Sequence, residues 1–286
     1  MRCTAWIPAK RYIFHPMKNK SLKYKYDIGE QTDADGNKVL AYGYKDAMHS
    51  AVYLDPKKKY ELVFPYNRSF VQAADLKEGK GRVLVIGGGM YTLPSYLIRF
   101  YSGLFVDVLE PDETTVPLAE KYFGLKELYK EIPDAKERLK IIPAYGREYL
   151  ENCLDRYDII INDAFSGSEP VYDLMSKEAA QLFKKALKPD GIYAANMLGH
   201  TDIFRSDLLL DEMRTLLEAF AYATADQAAD ARSKTYCNYI LFASDTDYFQ
   251  DPDTEELMKG TQVIEDRDLP HLPDFYEILS FTKSFE

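Results

Sequence analysis

The chain has 286 residues, 46% of them hydrophobic, and a formal net charge of −10. Such a composition is that of a globular protein with enough apolar side chains for a core. The acidic charge argues against nucleic acid as a general partner, although a basic stretch from Lys10 to Lys25 leaves a local contact open.

Several other classes of protein do not fit the sequence. No apolar run approaches the roughly 20 residues of a membrane span, and we expect no signal peptide because the start lacks a continuous apolar segment. The three cysteines are odd in number and far apart, which favours a reducing cytoplasm over a disulfide framework. The four histidines are scattered, so we expect no dedicated metal site.

The first 65 residues predict a small β-rich domain. Short runs that carry tyrosine and valine alternate with turn signals such as DADGN (33–37) and DPKKK (55–59). The predicted strands span residues 23–30, 38–44, 50–55 and 59–64. A helix is predicted over 67–79, where Gly79 ends it.

From Arg82 onward, continuous apolar runs alternate with amphipathic segments. This alternation is typical of a parallel sheet covered by helices on both faces. The predicted strands span 82–87, 104–110, 139–143, 157–163 and 191–198, followed by an antiparallel strand over 237–244. The predicted helices span 92–102, 115–125, 147–153, 176–187 and 206–220.

This pattern predicts three parts of the chain. Residues 1–65 are the β-rich domain, and residues 66–245 form a Rossmann-like nucleoside-binding domain. Residues 246–286 are an acidic tail that we expect to pack loosely on that domain.

Three glycines, Gly87, Gly88 and Gly89, follow the first strand of the predicted parallel sheet. Glycine there permits positive φ and lets a ligand approach the backbone. The dinucleotide fingerprint requires a further glycine where Thr92 stands, so a nicotinamide cofactor is disfavoured. A tight turn without a ligand is the alternative interpretation.

The second strand of that sheet ends in Glu110, 21 residues after Gly89. A carboxylate at this strand end can accept hydrogen bonds from both hydroxyls of a ribose, whereas a solvated strand end is the alternative. A glycine bend and a ribose carboxylate, without the pyrophosphate glycine, favour a nucleoside cofactor that has no phosphates. S-adenosylmethionine and its decarboxylated form are such cofactors.

The order of five further motifs points to a family. VLVIGGG, VDVLEPDETTVPLAEKYFGL, AYGREYL, YDIIINDAFSG and LKPDGIYAANML resemble the spermidine synthase family, in particular its spermidine synthase-like branch, over about residues 50–245. The resemblance implies an α/β, Rossmann-like class I methyltransferase fold. Its sheet has seven mostly parallel strands and follows a small N-terminal β-domain.

The resemblance also implies an activity. It indicates a transferase that binds S-adenosylmethionine or decarboxylated S-adenosylmethionine, with methylthioadenosine as a product-like ligand. The second substrate is a small molecule that the sequence does not name. Family members are commonly dimers or tetramers, so the resemblance allows a homodimer, although the sequence does not fix the oligomeric state.

The resemblance further implies roles for individual residues. The glycine bend holds the methionine end of the cofactor, Glu110 the ribose, and the segment from Tyr145 to Arg147 the adenine. The implied cofactor-binding residues are Gly87, Gly88, Gly89, Met90, Glu110, Pro111, Tyr145, Gly146, Arg147 and Ala164. Asp163 faces the donor carbon as the catalytic residue, and the implied substrate-binding residues are Tyr66, Arg68, Phe165 and Ser166.

The chain departs from the pattern of true aminopropyltransferases at three motifs. Met90 and Tyr91 stand where those enzymes have Asp-Gly, Ser166 replaces the second acid after strand four, and Tyr145 replaces a further Asp. A diamine needs acidic or carbonyl partners when its ammonium groups leave water, so the loss of the acids at positions 90 and 166 predicts little turnover of putrescine. Met90 either contacts the ligand or fills the gap before the next helix.

Three functions therefore stay open. The first is a transferase in which Asp163 is a general base, although a loop anchor is the alternative role for this residue. The second is a nonenzymatic nucleoside-binding or scaffold protein, and the third is a nicotinamide-dependent oxidoreductase.

Overall fold

The computed structural model describes residues 27–33, 35–44, 47–166, 169–228, 235–249 and 257–269. The basic stretch from Lys10 to Lys25, the start of the strand predicted over 23–30, and the tail from residue 270 onward lie outside the described residues.

An antiparallel sheet of three strands opens the described chain. The strands are β1 (Asp27–Thr32), β2 (Lys38–Tyr44) and β3 (Ala47–Tyr53), in the order β1-β2-β3. The predicted DADGN turn joins the first two, because the Asp33 carboxylate accepts the backbone amides of Asp35 and Asn37 and Gly36 has a positive φ of 85°. The small N-terminal β-sheet implied by the family resemblance is present.

The strand predicted over residues 59–64 is not formed. Successive turns occupy this region, in which Lys58 donates its amide to the Asp55 carbonyl and Glu61 to the Lys58 carbonyl. Leu62 and Val63 are nevertheless buried, so the apolar residues pack as a loop. Helix α1 (Pro65–Leu76) begins directly afterwards, because proline is well suited to the first turn of a helix.

Seven further helices follow α1 in the described residues. They are α2 (Thr92–Phe100), α3 (Thr115–Tyr122), α4 (Leu125–Glu131), α5 (Ala135–Arg138), α6 (Gly146–Glu151), α7 (Lys177–Ala186) and α8 (Asp207–Leu217). In the part of the chain that the structure describes, no helix is both long and apolar enough to span a bilayer.

The central sheet has seven strands, as the resemblance implies. These strands are β4 (Lys80–Ile86), β5 (Gly103–Leu109), β6 (Leu139–Ile142), β7 (Tyr157–Asn162), β10 (Leu187–His200), β11 (Tyr222–Gln227) and β12 (Tyr236–Ser244). Their order is β11-β12-β10-β7-β4-β5-β6. The five strands from β10 to β6 in this order pair in parallel, whereas β12 is antiparallel to β10, as predicted.

Two hydrophobic clusters cover the two faces of this sheet. Along β4, Val83 and Val85 belong to one cluster, whereas Leu84 and Ile86 belong to the other. Successive side chains of a strand point to opposite faces, so a continuous apolar run is what a strand with two covered faces requires. The carboxyl ends of β4, β5 and β7 consequently lie side by side at one edge of the sheet.

Three strands of the structure were not predicted from the local sequence. Strand β11 has the sequence YATADQ, which lacks an apolar run and is formed through its antiparallel pairing with β12. A short hairpin of β8 (Phe165–Ser166) and β9 (Glu169–Pro170) follows β7. Part of the tail is also described, and its Ile264 is buried in the core cluster that contains Leu84.

Candidate active site

The glycine bend lies directly against the end of β7. Gly87 has a φ of 95°, and a Cβ atom built on it would lie 2.5 Å from the backbone carbonyl oxygen of Asp163. Only glycine satisfies both the left-handed conformation and this close approach. The end of β4 and the residue that follows β7 are thereby brought together.

Glu110 is held in place by the backbone of the bend. Its Oε2 accepts the amides of Gly88 at 3.1 Å and Gly89 at 3.2 Å, and its Oε1 accepts the Asp112 amide at 3.0 Å. Burial raises the pKa of Glu110, and these three amide bonds oppose that rise. The carboxylate is therefore fixed in orientation and retains lone pairs for further donors such as ribose hydroxyls.

Asp163 is held by neutral side chains from two other elements. Asn196 of β10 donates from Nδ2 to Asp163 Oδ1 at 2.8 Å, and the hydroxyl of Tyr66, at the start of α1, also hydrogen-bonds the carboxylate. Asn238 of β12 in turn donates to Asn196 Oδ1 at 2.9 Å. This chain of hydrogen bonds fixes the rotamer of Asn196 and therefore its contact with Asp163.

The environment of Asp163 makes it a base near neutral pH. Burial raises the pKa of its carboxyl group to about 7, although the hydrogen bonds from Asn196 and Tyr66 act in the opposite direction. Both donors are uncharged, so they only partly offset the loss of hydration. A carboxylate with such a pKa can accept a proton from a reacting group at physiological pH.

The preceding residue, Asn162, points to the opposite face of the sheet, as strand alternation predicts. Its Nδ2 donates to the Tyr193 hydroxyl at 3.0 Å, and Tyr193 belongs to the core cluster of Leu84. The side chains of Asp163 and Asn162 therefore point to opposite faces of the central sheet.

Met90 is a core residue in this structure. Its side chain is fully buried in the cluster that contains Val83 and Val85, which supports the gap-filling interpretation that the sequence left open. The Met90 amide donates to Ser50 Oγ at 3.0 Å. Because Ser50 lies on β3, the N-terminal sheet supports the glycine bend.

The predicted adenine segment lies at the start of α6. Tyr145 is 51% exposed, and Gly146 packs so closely that a Cβ atom there would lie 2.6 Å from Ile86 Cγ2. The guanidinium group of Arg147 instead contacts Asp266 of the tail and Glu151. Arg147 therefore contacts protein partners through its side chain, whereas Tyr145 presents an open ring surface.

The other predicted residues, apart from Arg68, lie near the same edge of the sheet at different depths. Pro111 is exposed directly after Glu110, and Ala164 and the hairpin residues Phe165 and Ser166 are half-buried directly after Asp163. Arg68 is exposed, and it lies about 200° around α1 from Tyr66. The structure thus brings Tyr66 to Asp163, but it places Arg68 on the opposite side of the helix.

Three polar residues of the site were not predicted from the sequence: Ser50, Asn196 and Asn238. Asn196 is buried within the otherwise apolar run GIYAANML. A buried amide requires hydrogen-bond partners, and this was the signal that sequence reasoning could have used. Asn196 reaches Asp163 because β10 and β7 pair in a register that places Ala195 opposite Asn162.

A cavity of about 390 Å³ lies at the other end of the sheet. It is lined by Arg156, Lys184, Lys188 and Asp245, among others, next to the amino ends of β7 and β10. Ligands of open α/β sheets bind beyond the carboxyl ends of the strands, so this cavity is not part of the candidate site. Within the described ranges, no three His, Cys, Asp or Glu residues are grouped as metal ligands would be.

The architecture agrees with solved structures of two related classes. A probable spermidine synthase from Corynebacterium glutamicum ATCC 13032 superposes with a TM-score of 0.66 at 22% identity, covering 85% of this chain and 95% of that one. Human methyltransferase-like protein 13, solved in complex with SAH, gives a TM-score of 0.53 at 18% identity, covering 76% and 99%. These likenesses establish the fold as that of class I methyltransferases.

The sequence comparison then defines the family. Residues 64–229 match the model of the spermine/spermidine synthase domain, and the chain belongs to this family. A polyamine aminopropyltransferase from Vibrio vulnificus (strain CMCP6) is 26% identical over 162 residues, which are 56% of this chain and 51% of that protein. The chain thus spans about half the length of that relative.

Proposed function

We propose that the protein is a transferase that binds an S-adenosylmethionine-derived donor and transfers a group to an amine. The observation that supports this most is the position of Asp163. Its carboxyl group, with a pKa raised to about 7, follows a strand whose end contacts the glycine bend through Gly87. A proton acceptor and a nucleoside-binding backbone therefore share one edge of the sheet.

In this proposal Glu110 binds the ribose of the donor, and Asp163 accepts a proton from the acceptor. The donor, when bound, supplies a carbon activated by a sulfonium group. Glu110 accepts hydrogen bonds from the ribose hydroxyls while its other contacts keep it in place. Asp163 takes one proton from the acceptor ammonium, so that the nitrogen lone pair attacks the activated carbon. The carbon–sulfur bond breaks, and its electron pair stays on sulfur as a neutral thioether.

Tyr66 and Asn196 keep Asp163 ready for this step. Each donates a hydrogen bond to the carboxylate and favours its ionised form. Neither brings a positive charge, so the basicity that burial confers is only partly lost. A carboxyl group with a raised pKa at this edge of the sheet favours a catalytic role for Asp163 over that of a loop anchor.

The acceptor is the least defined part of the proposal. The relatives named polyamine aminopropyltransferase favour a polyamine. The expectation that putrescine is a poor acceptor rests on the residues at positions 90 and 166 alone and finds no support in the comparisons. Putrescine and longer polyamines are therefore the first acceptors to assay, with both S-adenosylmethionine and its decarboxylated form as donors.

A thermal-shift series tests the donor class. A ligand that binds the folded state stabilises it by RT ln(1 + [L]/Kd), about 2.7 kcal/mol at a concentration of 100 Kd. We expect stabilisation by methylthioadenosine and by at least one of the two sulfonium donors. Stabilisation by NAD alone would indicate an oxidoreductase, and no stabilisation by any of the four would indicate a scaffold.

A further inference from the structure

The described part of the tail, residues 257–269, packs against helices α7 and α8. Ile264 is buried in the core, its amide donates to Thr215 Oγ1 at 2.9 Å, and its carbonyl accepts the Lys177 amide at 2.7 Å. The segment therefore docks on both α7 and α8 through backbone and apolar contacts.

Asp266 extends this docking to α6. Its carboxylate accepts two hydrogen bonds from Arg147, at 3.2 Å from Nη1 and 2.8 Å from Nη2. It also accepts the Ser176 hydroxyl at 2.5 Å. A two-bond contact between guanidinium and carboxylate fixes both direction and distance, so Arg147 is held against the tail.

Arg147 in turn fixes the start of α6. It is the second residue of that helix, directly after Gly146 and two residues after Tyr145. Arg147 Nη1 also donates to the Asp173 carbonyl at 3.1 Å. Gly146 packs on Ile86, the last residue before the glycine bend. Arg147 therefore links the tail to the start of α6, directly beside the segment that is predicted to contact the adenine.

We infer that Asp266 is a positioning residue for the adenine side of the donor, and that the tail is thereby part of the nucleoside site. This inference rests on the proposed function for the identity of the ligand. Asp266 itself does not touch the ligand; it acts through Arg147, which holds Tyr145 and Gly146 beside the bend.

The test compares Asp266→Asn with Asp268→Asn. Asp268 lies on the same segment, where its carboxylate accepts the Glu265 amide at 2.9 Å and lies 3.9 Å from Arg267 Nε. The two substitutions therefore remove the same charge from the same segment, but only the first weakens the link to α6. Calorimetric titration with methylthioadenosine is carried out at a temperature where all variants are folded, with the unfolding temperature recorded separately.

We expect Asp266→Asn to bind methylthioadenosine about 5- to 10-fold more weakly, and Asp268→Asn to bind within twofold of the unchanged protein. A merely structural role would lower the unfolding temperature and leave the affinity of the folded protein unchanged, which would overturn the inference. Equal loss of affinity in both variants would also overturn it.

Hydrogen exchange in the protein without added nucleoside separates this inference from the proposed function. Asp266→Asn should exchange faster than Asp268→Asn at the amides of residues 145–151, because the start of α6 loses its anchor. Faster exchange without any binding of methylthioadenosine would support the role of Asp266 as an anchor of α6 and would refute the nucleoside as the ligand. Unchanged exchange would refute the anchor itself.

Discussion

Glu110 and Asp163 stand at the carboxyl ends of β5 and β7, with β4 between them, and the protein surrounds them differently. Glu110 is held by three backbone amides, whereas Asp163 is held by an amide side chain and a phenol. Burial raises the pKa of both carboxyl groups. Backbone amides provide a fixed, preorganised cradle, while the sparser neutral contacts of Asp163 leave it basic.

This difference teaches how one edge of a sheet can provide both binding and reactivity. A carboxylate that accepts several backbone amides is a good rigid acceptor and a weak base. A carboxylate with few, neutral partners and little water is the better base. The substitutions below test whether the two roles can be separated, from the largest expected effect to the smallest.

Replacement of Asp163 by Asn should have the largest effect on turnover. The variant keeps the shape of the side chain but removes the proton acceptor, and loss of a general base lowers rates by about 10² to 10⁴-fold. The measurement is kcat with the donor and acceptor that the binding and product assays identify. The control is Asp207→Asn, which removes an exposed carboxylate at the start of α8. A decrease of less than about threefold would leave Asp163 as a loop anchor.

Replacement of Glu110 by Ala should affect binding rather than reaction. Two charge-assisted hydrogen bonds to the ribose, each worth about 1.5–3 kcal/mol, would be lost, so the Kd for methylthioadenosine should rise by about 10²-fold or more. Isothermal titration calorimetry measures this change. Glu113→Ala is the matched control, because Glu113 is exposed three residues further along. An unchanged Kd in a folded Glu110→Ala variant would contradict the ribose role.

Asp163 should also make the stability of the fold depend on pH. The folded-state pKa of about 7 exceeds the value of 3.8 expected without burial, so between these values the folded protein binds more protons. The contribution of Asp163 to stability is therefore fully present below pH 3.8 and is lost as pH rises through about 7. The slope is at most about 1.4 kcal/mol per pH unit.

Denaturant unfolding of the unchanged protein and of Asp163→Asn between pH 4.5 and 8 measures this contribution. As pH rises, the unfolding free energy of the unchanged protein should fall relative to that of Asp163→Asn. Glu212 is a useful comparison, since burial raises the pKa of its carboxyl group to about 8, and Glu212→Gln should extend the same trend to higher pH. Parallel curves for Asp163→Asn and the unchanged protein would contradict the assigned environment of Asp163.

Replacement of Asn196 by Ala should have the smallest effect. The lost hydrogen bond is worth about 1 kcal/mol, so turnover at pH 7 should fall by about fivefold. Because this bond lowers the pKa of Asp163, its loss should move the acidic limb of the pH–rate profile, where Asp163 loses its proton, to higher pH. Asn238→Ala should show a weaker form of the same shift. A lower rate with an unmoved profile would mean that Asn196 acts only in packing.

Local patterns were enough to predict most of the parallel sheet and the edge where the site lies. The runs VLVI and YDIIIN are buried on both sides, and Gly87 has the positive φ that its position suggested. The strand prediction for residues 59–64 was wrong because the apolar residues of this segment are buried in a loop. Strand β11 was not identified because its sequence is poor in apolar residues and depends on β12 for pairing.

The contacts of the site were harder to predict, because they join residues far apart in the sequence. Asn196 meets Asp163 through the register of two strands, and Arg147 meets Asp266 across 119 positions. Neither contact leaves a local pattern. The assignments of Met90 and Arg147 as ligand contacts came from motif position alone and stay predictions, although both side chains have protein partners in this structure.

The most direct test of the division between Glu110 and Asp163 is a crystal structure with S-adenosylmethionine bound. We expect both ribose hydroxyls within about 2.7–3.2 Å of the Glu110 carboxylate. We also expect the sulfonium-activated carbon to face Asp163, close enough for one water molecule to bridge the two. A nucleoside bound away from Glu110, or an activated carbon that faces away from Asp163, would contradict the assignment of binding to one carboxylate and reaction to the other.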